Sequence, residues 1–290
     1  MVPGLRRTYI ALMFLKNDAS LPPARTGVDT GMPENMSYEL VAGSSDAQML
    51  FLCDHACNFV PPELANLGLN EGAFESHIAY DIGVAELTRG LAARFGAPAV
   101  LSKFSRLLID PNRGEDDPTL IMRLSDGTVV PANAHLDERA KNDRKRQFYH
   151  PYHRAISEVI DQAFSRDTVP VLISIHSFTH AWKGISRPWH AGILWDKDPR
   201  FAQPLIAALR EQQDITVGDN QPYNGALKGD CLYRHGTRRG LANGLVEVRQ
   251  DLIGDSGGVK EWLERLERAI KKAMMANDLH KVIHYGSRSD

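Results

Sequence analysis

The chain has 290 residues, of which 43% are hydrophobic and 24% charged, a composition typical of a globular protein with a sizeable core. Its formal net charge of −2 at pH 7 argues against nucleic acid or an anionic membrane surface as the partner. No apolar run reaches the roughly 20 residues that a membrane-spanning helix needs. We therefore expect a protein whose partners include neither nucleic acid nor a membrane.

The N-terminal segment lacks a strong structural pattern. Its apolar stretch YIALMFL is not followed by a small-residue cleavage site, so we do not expect a secretory signal. We predict that residues 1–35 are a mobile N-terminal extension and that residues 36–290 form one domain, because no later linker divides the chain.

The chain has three cysteines, Cys53, Cys57 and Cys231. So small and uneven a number argues against a disulfide framework. This count indicates a reducing compartment, and we predict a cytoplasmic location. Cys53 and Cys57 flank His55 in CDHAC, which is compatible with a metal site. We favour packing for Cys53, because it ends an apolar run and a free cysteine packs as a small hydrophobe.

Short apolar runs alternate with amphipathic segments along the chain. Apolar residues recur at helical spacing in 81–95, 137–164, 201–209 and 259–270. A long loop or hairpin is expected between residues 114 and 134, with a turn at SDGT. The predicted strands are QMLFLCDH, VPVLISIH, HAGILWD and NGLVEVRQDLI, with one or two more in APAVLSKF and SRLLIDP. This alternation predicts an α/β fold of three αβα layers, with a mostly parallel central sheet and helices on both faces.

Polar side chains follow or interrupt four of the apolar runs. In open α/β sheets, ligands bind beyond the carboxyl ends of the strands, so these side chains are expected to share one edge. A strand also holds its last side chains rigidly, which suits a binding or catalytic site. The residues concerned are Asp54, His55, Asp110, Asn112, Arg113, His176, Glu247 and Arg249.

Two of these residues are histidines, and neutral imidazole is a favoured ligand of Zn²⁺. Catalytic zinc often takes two imidazoles and one carboxylate, so His55 and His176 need an acidic partner. Asp81 in HIAYDIG is our first candidate, although a residue there could instead cap the following helix. Other candidates for the third ligand are Asp54, Asn58 and Glu63.

Six motifs between Met49 and Ile253 together resemble the N-formylglutamate amidohydrolase family: HACNFVPPEL, HIAYDIG, SRLLIDPNR, ISIHSF, LYRHGTRRGL and LVEVRQDL. That family is similar in turn to zinc carboxypeptidases and to the succinylglutamate desuccinylase and aspartoacylase group. The resemblance implies a zinc-carboxypeptidase-like (phosphorylase/hydrolase-like) fold. It also implies one Zn²⁺ per chain, although the ligand types suit other divalent metals as well.

The resemblance further implies hydrolysis of a small anionic N-acyl amino acid, with N-formyl-L-glutamate giving formate and L-glutamate. Glu247 would be the general base, and His235 would donate a hydrogen bond to the oxyanion or to a carboxylate. Asn112, Arg113 and Arg234 would bind the substrate, since guanidinium groups match carboxylates.

Simpler interpretations exist for two of these residues. Glu247 could be a surface glutamate that pairs with Arg249 on the same strand face. Arg113 could form a structural ion pair with Asp110 or Asp116.

One position departs from the pattern of the related enzymes. Where carboxypeptidase-like relatives have a metal-binding glutamate three residues after the first histidine, this chain has Asn58. The HACN form also differs from the H-S-G-T form of the histidine-degradation enzymes. Two alternatives therefore remain: a zinc deacylase or carboxypeptidase that acts on another N-acyl amino acid, and a non-catalytic binding protein that has lost its metal.

Overall fold

The computed structural model describes residues 37–44 and 46–290. The expected N-terminal extension, residues 1–35, lies outside the described residues, and the single domain over 36–290 stays a prediction.

Strands account for most of the apolar runs that the sequence analysis singled out. β2, MLFLC, is buried at every position, as expected for a central strand covered on both faces. The strands are β1 (Tyr38–Val41), β2 (Met49–Cys53), β3 (Ala99–Ser102), β4 (Leu124–Ser125), β5 (Thr128–Val129), β6 (Val171–Phe178), β7 (Ala181–Trp182), β8 (Ile185–Ser186), β9 (Ala191–Leu194), β10 (Val217–Asp219) and β11 (Asn243–Arg249).

Within the described part of the chain, seven strands form one sheet in the order β1-β3-β2-β6-β11-β9-β10. The four central strands β3, β2, β6 and β11 run parallel to one another. β1 is antiparallel to β3 at one edge, and the parallel pair β9 and β10 is antiparallel to β11 at the other. The predicted mostly parallel sheet is confirmed, and its antiparallel strands lie towards the two edges.

Helices connect the strands and cover the sheet. α1 ends where Gly96 adopts a left-handed conformation, and Asp255 caps α7 by accepting a hydrogen bond from the amide of Gly258. None of the helices in the described ranges is long and apolar enough to cross a membrane. The α-helices are α1 (Val84–Phe95), α2 (Pro131–Ala134), α3 (Glu138–Arg144), α4 (His150–Phe164), α5 (Ala202–Arg210), α6 (Cys231–His235) and α7 (Ser256–Ala273).

Two apolar clusters lie on opposite faces of the sheet. On one face, α1, α5 and α7 pack against strand residues such as Phe51 and Ile173. On the other face, α4 and α6 pack against residues of opposite parity in the same strands, such as Leu52 and Leu172. The fold is therefore the predicted three-layer αβα arrangement.

Three local predictions can be compared with the structure. The turn at SDGT is confirmed, since Asp126 and Gly127 have φ of 42° and 82° between β4 and β5. The helix predicted over 137–164 is α3 and α4 joined through a π-helical turn, Lys145–Tyr149. SRLLIDP is not a strand: it forms turns after β3, and its leucines are buried under the sheet without joining it.

Candidate active site

The central strands carry polar side chains at one edge of the face that α4 and α6 cover. On β6, Ser174 and His176 follow buried Leu172 at every second position, so all three face the same way. On β11, Glu247 follows Leu245 and lies directly beside His176 in the parallel register. Because β2 also runs parallel to β6, its carboxyl end brings His55 to the same edge.

His55, Asp81 and His176 converge at this edge. The Oδ2 atom of Asp81 lies 2.9 Å from Nδ1 of His176 and 3.3 Å from Nδ1 of His55. All three side chains are buried, and their potential ligand atoms lie within 4.8 Å of one another. The structure thus brings together the three residues that the sequence analysis named as metal ligands.

A second carboxylate lies behind each imidazole. Nε2 of His55 is 2.7 Å from Oδ1 of Asp110, and Nε2 of His176 is 3.0 Å from Oδ2 of Asp54. Both Nε2 atoms are therefore placed to donate to a carboxylate, which leaves both Nδ1 atoms directed at Asp81. Metal-binding histidines in proteins show this arrangement, because the outer carboxylate fixes the tautomer and orients the ring.

The charges of this cluster perturb one another strongly. Burial alone would raise the pKa of Asp54, Asp81 and Asp110, but the neighbouring imidazoles, with Arg106 at Asp110, hold the pKa of each below its usual range. Burial opposes the charged form of His176, yet its bonds to Asp54 and Asp81 raise its pKa to about 10. The cluster therefore strongly favours positive charge at its centre.

Asp81 does not cap the following helix, which was the alternative interpretation. α1 begins three residues later, after Gly83, and that N-cap makes no side-chain hydrogen bond. Gly83 has φ of 80°, and a Cβ atom there would lie 2.1 Å from the carbonyl oxygen of Ile253, so the turn requires glycine. The amide of Ser177 also donates to Oδ2 of Asp81 at 3.3 Å, which holds the carboxylate towards β6.

The other candidates for the third ligand lie elsewhere. Asn58 donates to the carbonyl of Phe74 at 2.8 Å, and Glu63 is exposed in a 3₁₀ turn. Asp54 lies behind His176, where it also accepts hydrogen bonds from Tyr152 and Ser174. The position taken by Asn58 therefore contributes nothing to the cluster, and Asp81 is the carboxylate that both Nδ1 atoms face.

Arg106 is a site residue that the sequence analysis missed. Its Nη2 donates to Oδ2 of Asp110 at 2.8 Å, and its Nη1 lies 3.5 Å from Oδ1 of Asp81. The leucines of SRLLIDP predict a strand, and a strand does not bring together Arg106 and Asp110, which are four residues apart and form an ion pair in the structure. This four-residue spacing of opposite charges was the sequence feature that could have indicated the ion pair.

Glu247 lines a pocket that His55, Asp81 and His176 also line, and it is not part of a surface ion pair. Arg249 pairs instead with Asp251, at 2.8 Å. The Oε2 atom of Glu247 is buried, and no described residue donates a hydrogen bond to it. Burial raises the pKa of Glu247 to about 7. A carboxyl group with an open acceptor and such a pKa is well suited to general-base catalysis near neutral pH.

Asn112 and Arg113 line the same pocket. The amide of Asn112 donates to Oδ1 of Asp110 at 2.9 Å, and its side-chain oxygen accepts from the amide of Cys231 at 3.1 Å. Arg113 bonds to the carbonyl of Asn112 and to Thr119, and no described carboxylate forms an ion pair with it. Arg113 therefore does not form the structural ion pair with Asp110 or Asp116 that was its simpler interpretation.

Arg234 and His235, which we predicted to contact the substrate, do not line this pocket. Both lie on the short helix α6, and Arg234 is directed at Tyr149, whose hydroxyl it bonds at 2.9 Å. That hydroxyl donates to the carbonyl of Arg113 at 2.7 Å, so Arg234 supports the pocket wall from outside. His235 is buried against His153, and its Nε2 lies 2.9 Å from Nδ1 of His153.

His153, Cys231 and His235 also place potential ligand atoms within 4.8 Å of one another. Burial lowers the pKa of both histidines, to about 3 for His235, so the pair is neutral, with one ring donating to the other. Burial also raises the pKa of the Cys231 thiol, which disfavours the thiolate that a metal would need. His153 and His235 therefore form a buried hydrogen-bonded pair, with Cys231 close to both.

The pocket lined by His55, Asp81 and His176 is a cavity of about 290 Å³, which we call the central pocket. This volume lies just below the range for small-molecule sites, about 300–1,000 Å³. Its wall includes residues that the sequence analysis did not name, because they come from loops between the strands: Trp195, Asp196, Tyr223, Asn224 and Asp230.

Comparison with known proteins identifies similar chains. Residues 47–254 match the family model of FGase, N-formylglutamate amidohydrolase. The chain is similar to gene product Atu2144 from Agrobacterium tumefaciens, with 32% identity, a TM-score of 0.80, and coverage of 83% of this chain and 96% of that one. It is similar in fold to an N-formylglutamate amidohydrolase from Ralstonia eutropha, with 22% identity, a TM-score of 0.60, and coverage of 83% and 98%. No curated protein matches it.

Proposed function

The chain belongs to the N-formylglutamate amidohydrolase family, and from this premise we propose that it hydrolyses N-formyl-L-glutamate to formate and L-glutamate at a zinc centre formed by His55, Asp81 and His176. The observation that carries the proposal is the convergence of both Nδ1 atoms on Asp81, with Glu247 beside His176 in the same pocket.

The donor set fits a divalent metal. Two imidazole nitrogens and one carboxylate are the ligands that many catalytic zinc sites use, with a further position left for water. With both imidazoles neutral, Asp54, Asp81 and Asp110 exceed the single positive charge of Arg106 by two units, which a divalent cation would balance. The outer carboxylates supply the orientation that such a centre needs.

Zinc bound there would supply Lewis acidity, which polarises the acyl carbonyl and makes water more acidic. Glu247 would then remove a proton from the attacking water and deliver it to the leaving amine nitrogen. Its open Oε2 atom and its position beside His176 support this role. The amine must be protonated to leave, so one carboxyl group that accepts and then returns a proton serves both halves of the reaction.

The cationic wall of the pocket supports the choice of an anionic substrate. Arg106 lies next to Asp81 and would stabilise negative charge on the acyl oxygen in the transition state. Arg113 has no described carboxylate partner, so its guanidinium is available for a substrate carboxylate, and Asn112 beside it offers a neutral polar contact.

The pH dependence of kcat/KM should show an acidic limb set by Glu247. The general base works as the carboxylate, so activity should rise with pH as Glu247 loses its proton and fall as pH drops through its pKa. Burial raises that pKa to about 7, and a nearby divalent cation would lower it, so half-maximal activity is expected at or below about pH 7. A kcat/KM that falls as pH rises up to about 7 would contradict the assignment.

The experiment that tests the proposal measures formate and L-glutamate released from N-formyl-L-glutamate, with N-acetyl-L-glutamate and N-succinyl-L-glutamate as alternative substrates. Equal amounts of formate and glutamate, with much slower cleavage of the larger acyl groups, are expected. Preferential cleavage of another acyl group would assign the chain to a different deacylase activity. No turnover of any of the three by the metal-loaded protein would favour a non-catalytic binding role.

A further inference from the structure

A second cavity adjoins the central pocket, and we call it the side pocket. It measures about 560 Å³ and shares Arg106, Arg113 and Tyr223 with the central pocket. Its remaining wall includes Thr179 and Arg187. A small substrate held at the metal cluster could therefore extend past Tyr223 towards Arg187.

Arg187 is held rigidly at this wall. Its side chain is only 9% exposed, and its guanidinium carbon lies 5.0 Å from the ring centre of Tyr223 and 5.7 Å from that of Phe178. Nη1 donates to the hydroxyl of Tyr223 at 3.1 Å and to Oγ1 of Thr179 at 3.0 Å. Aromatic contacts and hydrogen bonds thus fix the plane of the guanidinium.

The positive charge of Arg187 has no counter-charge within the described residues. No carboxylate there forms an ion pair with it, and the hydrogen bonds that its guanidinium donates all come from Nη1. Its Nε and Nη2 atoms form the edge of a guanidinium that binds a carboxylate with two parallel hydrogen bonds. The acidic group of the side pocket, Asp126, already pairs with His77 at 3.2 Å.

We propose that Arg187, with Tyr223 and Thr179 as its supports, is the subsite for the side-chain carboxylate of the amino acid and selects dicarboxylic substrates. The inference rests on the proposed function for the nature of the reaction. The α-carboxylate is attached to the carbon that bears the scissile nitrogen, so it must stay near the metal cluster, where Arg113 lies. The side-chain carboxylate is further from that nitrogen, and the side pocket adjoins the central pocket at Tyr223.

Arg113 and Arg187 would then each bind one carboxylate of the substrate. Within the described residues, Arg113 and Arg187 both line the side pocket without a carboxylate partner, and Arg113 also lines the central pocket. A substrate with two carboxylates would satisfy both charges. An amino acid with a neutral side chain would leave Arg187 partly desolvated and unpaired, which disfavours its binding.

The test compares Arg187→Gln with the unmodified enzyme on N-formyl-L-glutamate and N-formyl-L-glutamine, which differ at the side-chain terminus. A lost charge-assisted pair should lower kcat/KM for the glutamate substrate by about 30- to 100-fold. The glutamine substrate should change by less than about 3-fold, so the variant loses its preference. Arg187→Lys, which keeps the charge without the fork, should retain part of the preference.

A matched control is Arg210→Gln, since Arg210 also bonds a backbone carbonyl but lines neither pocket. It should leave the preference unchanged. If Arg187→Gln lowers kcat/KM equally for both substrates, Arg187 is structural and the inference is wrong. The same conclusion follows if the preference stays unchanged.

Binding of L-glutamate and L-glutamine, measured by calorimetry on the same metal-loaded proteins, separates this inference from the proposed function. Tighter binding of glutamate that Arg187→Gln abolishes would support the subsite even if N-formyl-L-glutamate proved not to be a substrate. Equal binding of the two amino acids by the unmodified protein would overturn the subsite, whatever the turnover of N-formyl-L-glutamate.

Discussion

Replacement of Glu247 by glutamine is expected to lower kcat for N-formyl-L-glutamate by about 1,000-fold, within the range that general acid–base catalysis contributes. The amide has the shape of the carboxyl group but cannot remove a proton from water. Because burial already raises the pKa of Glu247, a neutral side chain there should be tolerated, so folding should not suffer. Metal content should also stay unchanged, since Glu247 is not among the converging ligands.

Steady-state kinetics and metal analysis on the same preparation measure both expectations. Glu115→Gln is the matched control, because Glu115 is a partly exposed glutamate that pairs with His150 outside the central pocket. It should keep nearly full activity. A Glu247→Gln variant with more than about a tenth of the original kcat would show that another group is the base.

Replacement of Asp81 by asparagine is expected to remove both metal and activity. Oδ2 of Asp81 is the atom that both Nδ1 atoms face, and an amide carries neither the charge nor the affinity of a carboxylate for zinc. Loss of a group that only hydrogen-bonds to a metal ligand costs about 10- to 100-fold in metal affinity. Loss of a ligand itself, such as Asp81, should therefore cost more than about 100-fold.

The measurement is zinc per chain after dialysis against a weak chelator. Asp198→Asn serves as the control, because Asp198 is also a buried aspartate but pairs with Arg200 away from the pocket. It should retain its zinc. An Asp81→Asn protein that keeps one tightly bound zinc would mean that the third ligand is a different residue.

Much of the fold could be predicted because local periodicity carries the information. The buried run of β2 and the three- and four-residue spacing in α1 and α7 each indicate one element type. The strand predicted for SRLLIDP is wrong, because the buried leucines of a turn have the same sequence pattern as those of a short buried strand. Only tertiary packing distinguishes the two.

The site could be predicted in part for a related reason. His176 and Glu247 lie in strands, where the alternation of side chains determines the face on which they project. Arg234 and His235 lie on α6, which has only five residues, so no periodic pattern indicates which side faces the pocket. Arg187 lies between the two-residue strand β8 and β9, where the sequence offers no pattern at all.

The measurement that tests the account most directly is formate release from N-formyl-L-glutamate by the purified protein before chelation, after chelation and after zinc is restored, with zinc per chain determined at each stage. The account predicts about one zinc per chain, loss of formate release with the metal, and recovery of both together. Undiminished formate release by fully metal-free protein would contradict it, since His55, Asp81 and His176 would then not act as a catalytic metal centre.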